Sequence, residues 1–256
     1  MTAIADLFSL RDRVAMVTGA SSGIGRAMAE ALAEAGAAVA LVARRVAALD
    51  SVARAIVARG GRSIAVGCDL ADRAALAQLL PKVNAAFGAP DIVVNAAGIN
   101  PRVPIDAVSA RDWDRTLDIN LTAPFLLAQA FAPAMVARGW GRILNIASLQ
   151  SVRALPDGAP YGASKGGIMQ LTRAMAQAWS RHGVTCNAIA PGFFPTELTA
   201  PVFADPARAN EMAARTMSGR NGELDDLRGA TIFFASRASD YVTGQTLFVD
   251  GGYSAG

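Results

Sequence analysis

The chain has 256 residues, of which 52% are apolar and 18% are charged, and it contains 24 glycines. This size and composition fit one globular α/β domain and exclude a disordered or a collagen-like chain. The formal net charge is +3, but the arginines are scattered and form no basic run, so we expect no nucleic-acid partner.

The cysteines and the N-terminal residues indicate the compartment. Cys68 and Cys186 lie in apolar stretches without the spacing of metal ligands, so we interpret both as reduced core residues and expect no metal site. Residues 1–6 show no basic segment followed by an apolar run. No apolar run reaches the ~18 residues of a membrane-spanning helix. The sequence therefore predicts a cytoplasmic protein that does not contact a membrane.

Apolar runs rich in Val, Ile and Ala alternate with helical segments along the whole chain. The predicted strands are 14–18, 39–42, 63–68, 92–95, 142–146, 185–190 and 246–249. The predicted helices are 23–35, 46–59, 71–87, 113–136, one that opens at Tyr161, and 224–234. Pro81 is expected to end or kink the third of these helices. Continuous apolar strands separated by helices are typical of a parallel sheet covered on both faces, and no linker divides the chain, so the pattern predicts a single α/β domain.

The turn after the first predicted strand, 18–25, reads Thr-Gly-Ala-Ser-Ser-Gly-Ile-Gly. Glycines at this place let the backbone approach a pyrophosphate, whose charge is stabilised by the N-terminus of the next helix. The spacing G-x-x-x-G-x-G is not the common dinucleotide fingerprint, and a tight structural turn is the alternative. The strand before it and the helix after it favour a dinucleotide site. Its candidate residues are Gly19, Ser21, Ser22, Gly23, Ile24 and Gly25.

The end of the second predicted strand distinguishes the two nicotinamide cofactors. An acidic side chain about 20 residues after the glycines would bind the ribose 2′-hydroxyl of NAD. Arg44 and Arg45 stand there instead, and the next acidic residue is Asp50. Guanidinium groups suit a 2′-phosphate, which arginine binds in a forked geometry, although two solvated arginines would give the same sequence. The pattern favours NADP(H) without excluding NAD(H).

Tyr161 and Lys165 carry the strongest chemical signal in the chain. Four residues apart in a helix, they lie on one face with their Cβ atoms roughly 5–6 Å apart. The ammonium favours the phenolate, so we expect the pKa of Tyr161 to fall below its usual value of about 10, which suits general acid–base catalysis. A surface lysine on an ordinary helix is the alternative, but the chain holds just two lysines, Lys82 and Lys165, among its 24 basic residues.

A hydrolase is a rival interpretation of the same residues. Both 19–23 and 162–166 match the G-x-S-x-G nucleophile elbow. That fold needs an acidic residue and then a histidine after the serine, and no Asp or Glu lies between Ser164 and the single histidine, His182. Ser21 has a strand before it and a helix after it, but the glycines that follow it suit a phosphate better. The sequence therefore disfavours the hydrolase.

Further motifs complete a set. They are Thr18-Gly19-x-x-x-Gly23-x-Gly25, Asp69-Leu70, Asn95-Ala96-Ala97-Gly98, Asn120, Ser148, Tyr161-x-x-x-Lys165 and Pro191-Gly192. With this set the chain resembles the short-chain dehydrogenase/reductases along its whole length, although that family usually has a second Asn where Ala96 stands. The resemblance implies a Rossmann-type, doubly wound parallel sheet of about seven strands, with helices on both faces, in a single domain over residues 1–256. It also implies hydride transfer between NADP(H) and a carbonyl or alcohol.

The resemblance implies catalytic roles for four residues. Tyr161 would give or take the proton, and Ser148 would donate a hydrogen bond to the reacting carbonyl. Lys165 would also contact the nicotinamide ribose. Asn120 would hold a water in a proton relay to Lys165, or it would simply kink its helix. A non-catalytic dinucleotide sensor, the other alternative, would not need this complete set.

The resemblance also implies cofactor contacts outside the glycine-rich turn. Asp69, with Leu70 beside it, would contact the adenine, and Asn95, in the motif that ends at Gly98, would contact the adenosine ribose. The Pro191–Gly192 turn and the Thr196 hydroxyl, with the main chain of Ile189, would hold the carboxamide and the diphosphate.

Within the family, the segments 98–102, 146–151, 159–167 and 190–199 look like those of the gluconate 5-dehydrogenase subgroup. This likeness implies a sugar-acid substrate, whose hydroxyls Gln150 would bind and whose carboxylate Arg102 or Arg153 would pair with. The subgroup often has Met in place of Leu149, and the apolar residues Phe193, Phe194, Leu198, Val202 and Phe203 favour a substrate pocket with a hydrophobic wall. A 3-oxoacyl-carrier-protein reductase and a broad ketone reductase therefore remain alternatives. We expect a substrate lid at 193–219 and, by resemblance, a homotetramer.

Overall fold

A computed structural model describes residues 3–256; Met1 and Thr2, part of the segment screened for a signal peptide, lie outside the described residues. The described chain contains one sheet of seven parallel strands: β1 (Val14–Thr18), β2 (Ala38–Ala43), β3 (Arg62–Gly67), β4 (Ile92–Asn95), β5 (Gly141–Ile146), β6 (Val184–Pro191) and β7 (Thr246–Val249). Their order in the sheet is β3-β2-β1-β4-β5-β6-β7. The order reverses between β1 and β4, which opens a crevice at the carboxyl ends of these strands. The predicted doubly wound fold is confirmed.

Helices cover both faces of the sheet. In chain order they are α1 (Ile4–Phe8), α2 (Gly23–Glu34), α3 (Val46–Ala58), α4 (Arg73–Ala77), α5 (Leu79–Phe87), α6 (Ala110–Leu117), α7 (Ala123–Arg138), α8 (Ala159–Trp179), α9 (Ala200–Phe203), α10 (Pro206–Ala214) and α11 (Arg228–Ala235). Two large apolar clusters, one on each face, bury the strands β1, β2, β4 and β5 on both sides. Burial on both faces explains why these strands are continuously apolar in the sequence.

The predicted helix 71–87 is broken, but not at Pro81. The break lies at Gln78, between α4 and α5. Asp72 begins α4 by accepting hydrogen bonds from the backbone amides of Ala74 and Ala75 at 2.8 and 3.2 Å. Pro81 falls in the first turn of α5, where its missing N–H has no helical partner to lose. The helix therefore restarts before the proline instead of ending at it.

The predicted helix 113–136 is longer and contains a single π-helical turn. This turn, Asp118–Thr122, separates α6 from α7. By length and composition alone, the segment Ala110–Arg138 that includes it would be able to cross a membrane. In the fold, however, Leu127, Phe131 and Met135 are at most 2% exposed against the sheet, so we interpret it as a core helix.

Candidate active site

A cleft of about 860 Å³ opens at the carboxyl ends of the strands, where the strand order reverses. Most of the candidate site residues line it. They are Gly19, Ser21, Ser22, Gly23, Ile24, Gly25, Arg44, Arg45, Asp69, Leu70, Gly98, Ser148, Tyr161, Lys165, Pro191, Gly192 and Thr196. Residues far apart in sequence are thus brought to one crevice, where ligands of open α/β sheets bind.

The glycine-rich turn packs so closely against neighbouring backbone that side chains would not fit at two of its glycines. Gly19 has φ +70°, and a Cβ atom there would lie 2.8 Å from the backbone of Ala97. A Cβ at Gly25 would lie 2.4 Å from the carbonyl oxygen of Gly19. The turn leads directly into α2, whose first residues line the cleft, and the free amides of a helix N-terminus favour an anion. These features fit a pyrophosphate, so the residues present suit a dinucleotide.

Ser148, Tyr161 and Lys165 meet at the other end of the cleft. Tyr161 and Lys165 lie in the first turns of α8 and are 8% and 3% exposed. The Lys165 Nζ lies 5.6 Å from the centre of the Tyr161 ring. Ser148 follows β5 and accepts a hydrogen bond from the Gln150 amide at 3.1 Å, which fixes its side chain. Ser151 ties this turn to α8 by donating to the Lys165 carbonyl at 2.7 Å. The predicted common face of Tyr161 and Lys165 is present.

The predicted fall in the pKa of Tyr161 is wrong for this structure. Burial raises the pKa of Tyr161, while a hydrogen bond with Ser148 and the positive charge of Arg102 oppose that rise. Burial also lowers the pKa of Lys165 to about 8. The Lys165 Nζ donates to the carbonyl of Ile146, not to the phenol. Desolvation is therefore the main cause of both shifts.

Asn120 lies behind the cleft, in the π-helical turn. Its Oδ1 accepts from the amide of Ile99 at 2.9 Å, and its Nδ2 donates to the carbonyl of Ile99 at 2.9 Å and to Ser164 Oγ at 3.0 Å. A Cβ at Gly98 would lie 3.4 Å from Asn120 Oδ1 and 3.7 Å from Lys165 Nζ. Asn120 thus fixes the loop that faces Lys165; its role in a proton relay stays a prediction.

Ser164, the candidate nucleophile of the rival hydrolase, is fully buried. Its Oγ donates to the carbonyl of Tyr161 at 2.7 Å and accepts from Asn120. His182 lies in the 3-10 turn Ser180–His182, outside the cleft. A serine held inside a helix, without a histidine beside it, cannot act as a nucleophile on a ligand in this cleft.

Asn95 and Arg153 are not brought to the cleft. Asn95 is 4% exposed and its Nδ2 donates to Asn145 Oδ1 at 2.9 Å, toward the core. Arg153 Nη2 donates to the carbonyl oxygens of Ser254 and Gly256 at 3.2 and 2.6 Å. Both contacts depend on partners about 50 and 100 residues away, which local sequence does not reveal.

Arg102, Gln150 and Phe193 do line the cleft. Arg102 has φ +53°, in the left-handed region that an arginine rarely adopts. Its Nη2 donates to the carbonyl of Leu198 at 3.2 Å, and its buried Nε has no hydrogen-bond partner among the described residues. A strained backbone that directs a partly unpartnered guanidinium into a cleft is typical of a ligand contact.

Sequence reasoning missed Glu197 and the charged residues of α10 as parts of this wall. Glu197 lies in the cleft and pairs with Arg45. Arg208 and Glu211 line the cleft from α10, and Arg215 lines it from the residue directly after this helix. No local motif marks these residues. Within residues 3–256, no three His, Cys, Asp or Glu side chains are grouped so as to hold a metal ion.

Comparison with known proteins decides the family. The sequence profile described as enoyl-(acyl carrier protein) reductase matches residues 19–254. Gluconate 5-dehydrogenase of Gluconobacter oxydans is 43% identical over 247 residues, which is 96% of each chain. The chain belongs to the short-chain dehydrogenase/reductase family. The predicted resemblance is confirmed, and this short-chain dehydrogenase/reductase is an oxidoreductase that acts on CH–OH groups with a nicotinamide cofactor.

Two other relatives of this short-chain dehydrogenase/reductase extend the comparison. The 2-dehydro-3-deoxy-D-gluconate 5-dehydrogenase of Escherichia coli is 39% identical and covers 98% of this chain, which spans 99% of that relative. A gluconate 5-dehydrogenase from Burkholderia cenocepacia, solved in complex with NADP and tartrate, is 43% identical with a TM-score of 0.95. That alignment covers 99% of this chain and 100% of the other. This chain therefore shares its overall fold with that solved structure over nearly the whole length.

Proposed function

We propose that this short-chain dehydrogenase/reductase interconverts a carbonyl and a secondary alcohol on a sugar acid, such as 5-ketogluconate and gluconate, with NADP(H). The observation that carries the substrate class is the Arg102 guanidinium. It lines the same cleft as Tyr161 and is near enough that its charge affects the pKa of Tyr161. Arginine pairs with carboxylates in a forked geometry, and the relatives named above act, by their names, on gluconate or a deoxy-keto derivative of it.

The arginines after β2 support NADP(H) as the cofactor. Arg44 is exposed in the cleft and makes no ion pair within the described chain. The cleft has no carboxylate at the position where NAD-binding folds carry one. Arg44 and Arg45 would hold the 2′-phosphate, and the turn 19–25 would hold the pyrophosphate. When bound, the nicotinamide exchanges hydride with the substrate carbon.

The residues of the chain would bind and protonate the substrate oxygen. In the reducing direction, Ser148 Oγ donates a hydrogen bond to the carbonyl oxygen, where negative charge develops. Tyr161 Oη gives that oxygen its proton, and in the oxidising direction it takes the proton back. Burial keeps the phenol protonated and water away, while Lys165 and Arg102 contribute positive charge beside it. Arg102 orients the substrate by its carboxylate.

A substrate panel followed by NADPH absorbance tests this function. We expect turnover with 5-ketogluconate to exceed that with simple ketones and with acetoacetyl thioesters, because the latter lack a carboxylate for Arg102. We expect NADPH to be preferred over NADH by about tenfold or more in kcat/KM, since a good charged hydrogen bond is worth that factor. Preference for the thioester would instead indicate the carrier-protein reductase. Absence of any cofactor oxidation would indicate the sensor.

Replacing Arg102 by leucine is expected to raise KM for 5-ketogluconate by about 10- to 100-fold, the value of a hydrogen-bonded charge pair. The loss in kcat/KM for a neutral ketone should be smaller, because that substrate has no carboxylate and loses only the effect of the Arg102 charge on Tyr161. Steady-state kinetics on both substrates measure the difference. Arg153→Leu is the matched control, since Arg153 contacts Ser254 and Gly256 and not the cleft. An equal loss on both substrates, or a loss with the control, contradicts the assignment.

We further propose a cytoplasmic homotetramer with a substrate lid at 193–219. The free, buried cysteines Cys68 and Cys186 suit a reducing compartment. Large apolar side chains stay 40% to 44% exposed on α6, α7 and β7, namely Trp113, Phe125 and Leu247, as expected of faces that another subunit covers. Size-exclusion chromatography with light scattering gives the mass, and a monomer would contradict the proposal.

Residues 193–219 contain α9 and α10 and line the cleft, which supports the lid.

A further inference from the structure

Arg45 is already engaged at the place where a 2′-phosphate would be held. Its Nη1 and Nη2 donate to Oε1 and Oε2 of Glu197, each at 2.9 Å. The same Nη2 donates to Ser21 Oγ at 3.1 Å and to Ser22 Oγ at 2.9 Å. Nη2 therefore offers its two hydrogens to three acceptors. An incoming phosphate can bind the Nη1–Nη2 edge of Arg45 only by displacing the Glu197 carboxylate.

Glu197 connects Arg45 to the lid. It begins the 3-10 turn Glu197–Thr199, which leads into α9, and it is 152 positions from Arg45 in sequence. The residue before it, Thr196, lies against the glycine-rich turn: a Cβ at Gly23 would be 3.2 Å from Thr196 Cγ2. The ion pair and this contact together hold the first part of the lid over the adenosine end of the cleft.

We propose that Glu197 is a cofactor-selectivity residue, which competes with the 2′-phosphate for Arg45, so that phosphate binding releases the segment 196–203. This inference rests on the proposed use of NADP(H). NAD(H), which has no 2′-phosphate, leaves the pair of Arg45 and Glu197 intact and binds without breaking it. Glu197 therefore reduces the advantage that the two arginines give to NADP(H).

The ion pair of Arg45 and Glu197 is weak and exposed enough to be exchanged for a contact between Arg45 and a phosphate. The side chains of Arg45 and Glu197 are 53% and 63% exposed, and such pairs contribute little to stability. Arg45 lowers the pKa of Glu197, so the carboxylate stays ionised. A phosphate monoester carries more charge and one more acceptor oxygen than a carboxylate. Arg44, which has no ion pair in the described chain, would make the first phosphate contact.

Isothermal titration with 2′,5′-ADP and with 5′-AMP tests the competition, because these nucleotides carry the phosphate difference without the nicotinamide. In the unmodified protein, 2′,5′-ADP should bind more tightly than 5′-AMP. Glu197→Gln should lower the Kd of 2′,5′-ADP by about fivefold, the upper value for an exposed ion pair, and leave the Kd of 5′-AMP unchanged. Glu34→Gln, which removes another exposed, ion-paired carboxylate but one outside the cleft, should change neither.

The same titration in an Arg45→Gln variant distinguishes competition for Arg45 from electrostatic repulsion between Glu197 and the phosphate. In that background Glu197→Gln should have no effect on 2′,5′-ADP, because there is no guanidinium to release. A fivefold gain that persists without Arg45 would overturn the competition in favour of repulsion. No gain from Glu197→Gln, while the unmodified protein still prefers 2′,5′-ADP, overturns this inference alone. No preference in the unmodified protein removes the NADP(H) assignment as well.

Hydrogen exchange of the segment 196–203 tests the release of the lid. Adding 2′,5′-ADP should speed amide exchange there, whereas 5′-AMP should not. In Glu197→Gln the exchange should be fast without any nucleotide. Equal protection of this segment in both proteins, with and without 2′,5′-ADP, contradicts the coupling between phosphate and lid.

Discussion

Replacing Tyr161 by phenylalanine is expected to lower kcat for 5-ketogluconate reduction by about 10³-fold, the usual contribution of a general acid. The Tyr161 phenol lines the cleft together with Ser148, and Ser148 affects the pKa of this phenol. The dissociation constant of NADPH should stay the same, because the turn 19–25 and Arg44 remain in place. Stopped-flow reduction and fluorescence titration measure the two effects separately.

Tyr241→Phe is the matched control for this variant. Tyr241 is fully exposed and lies outside the cleft. Replacing it by phenylalanine therefore removes the same hydroxyl group without changing the site. Its kcat should equal that of the unmodified protein. Activity of Tyr161→Phe comparable with that of Tyr241→Phe would remove Tyr161 from the mechanism.

Replacing Lys165 by methionine is expected to abolish most of the activity and yet to stabilise the fold near neutral pH. Burial lowers the pKa of Lys165 from 10.5 to about 8. The unfolded chain therefore binds this proton more tightly than the folded chain does, and the ionised amine opposes folding. A shift of this size is worth about 3 kcal/mol, which methionine would recover apart from the lost hydrogen bond to Ile146. The activity should fall by at least about 10²-fold.

The stability gained in Lys165→Met should depend on pH, because it arises from the lowered pKa of Lys165. The penalty of the buried ammonium is complete below pH 8 and disappears as the pH rises from about 8 to 10.5. The stability advantage of Lys165→Met, measured by urea unfolding at a series of pH values, should therefore shrink over that window. Lys82→Met, at the exposed second lysine, should show no such trend. A pH-independent difference between Lys165→Met and the unmodified protein would contradict the buried-charge explanation.

Local sequence was sufficient where a residue's surroundings follow from its neighbours in the chain. The boundaries of β1, β4 and β7 agree with the predicted strands, because apolar runs there are bounded by polar or glycine residues. The Tyr161–Lys165 face follows from helical periodicity alone. The glycine-rich turn follows from its position between β1 and α2, and the parallel sheet follows from the alternation of strands and helices.

Local sequence did not predict how deeply a side chain is buried or which distant residue it contacts. The pKa of Tyr161 rises because α8 packs deeply against the sheet, and no local pattern encodes that burial. Arg45 and Glu197 pair across 152 positions, and Arg153 contacts Ser254 across 101 positions, because these segments meet only in the folded chain. The π-helical turn at 118–122 is one residue of excess in an otherwise regular helix, which apolar periodicity does not resolve.

That surplus residue makes the length of the segment a constraint independent of its composition. Each residue turns an α-helix by about 100°, and the π-helical turn takes up one extra residue within the helix. Deleting one position from 118–122 would therefore leave a regular helix in which Phe131 still faces the sheet. Asn120, however, would lose the place from which it bonds Ile99 and Ser164. A deletion here should therefore spare the core and disturb the catalytic centre, whereas a deletion in a surface loop should disturb neither.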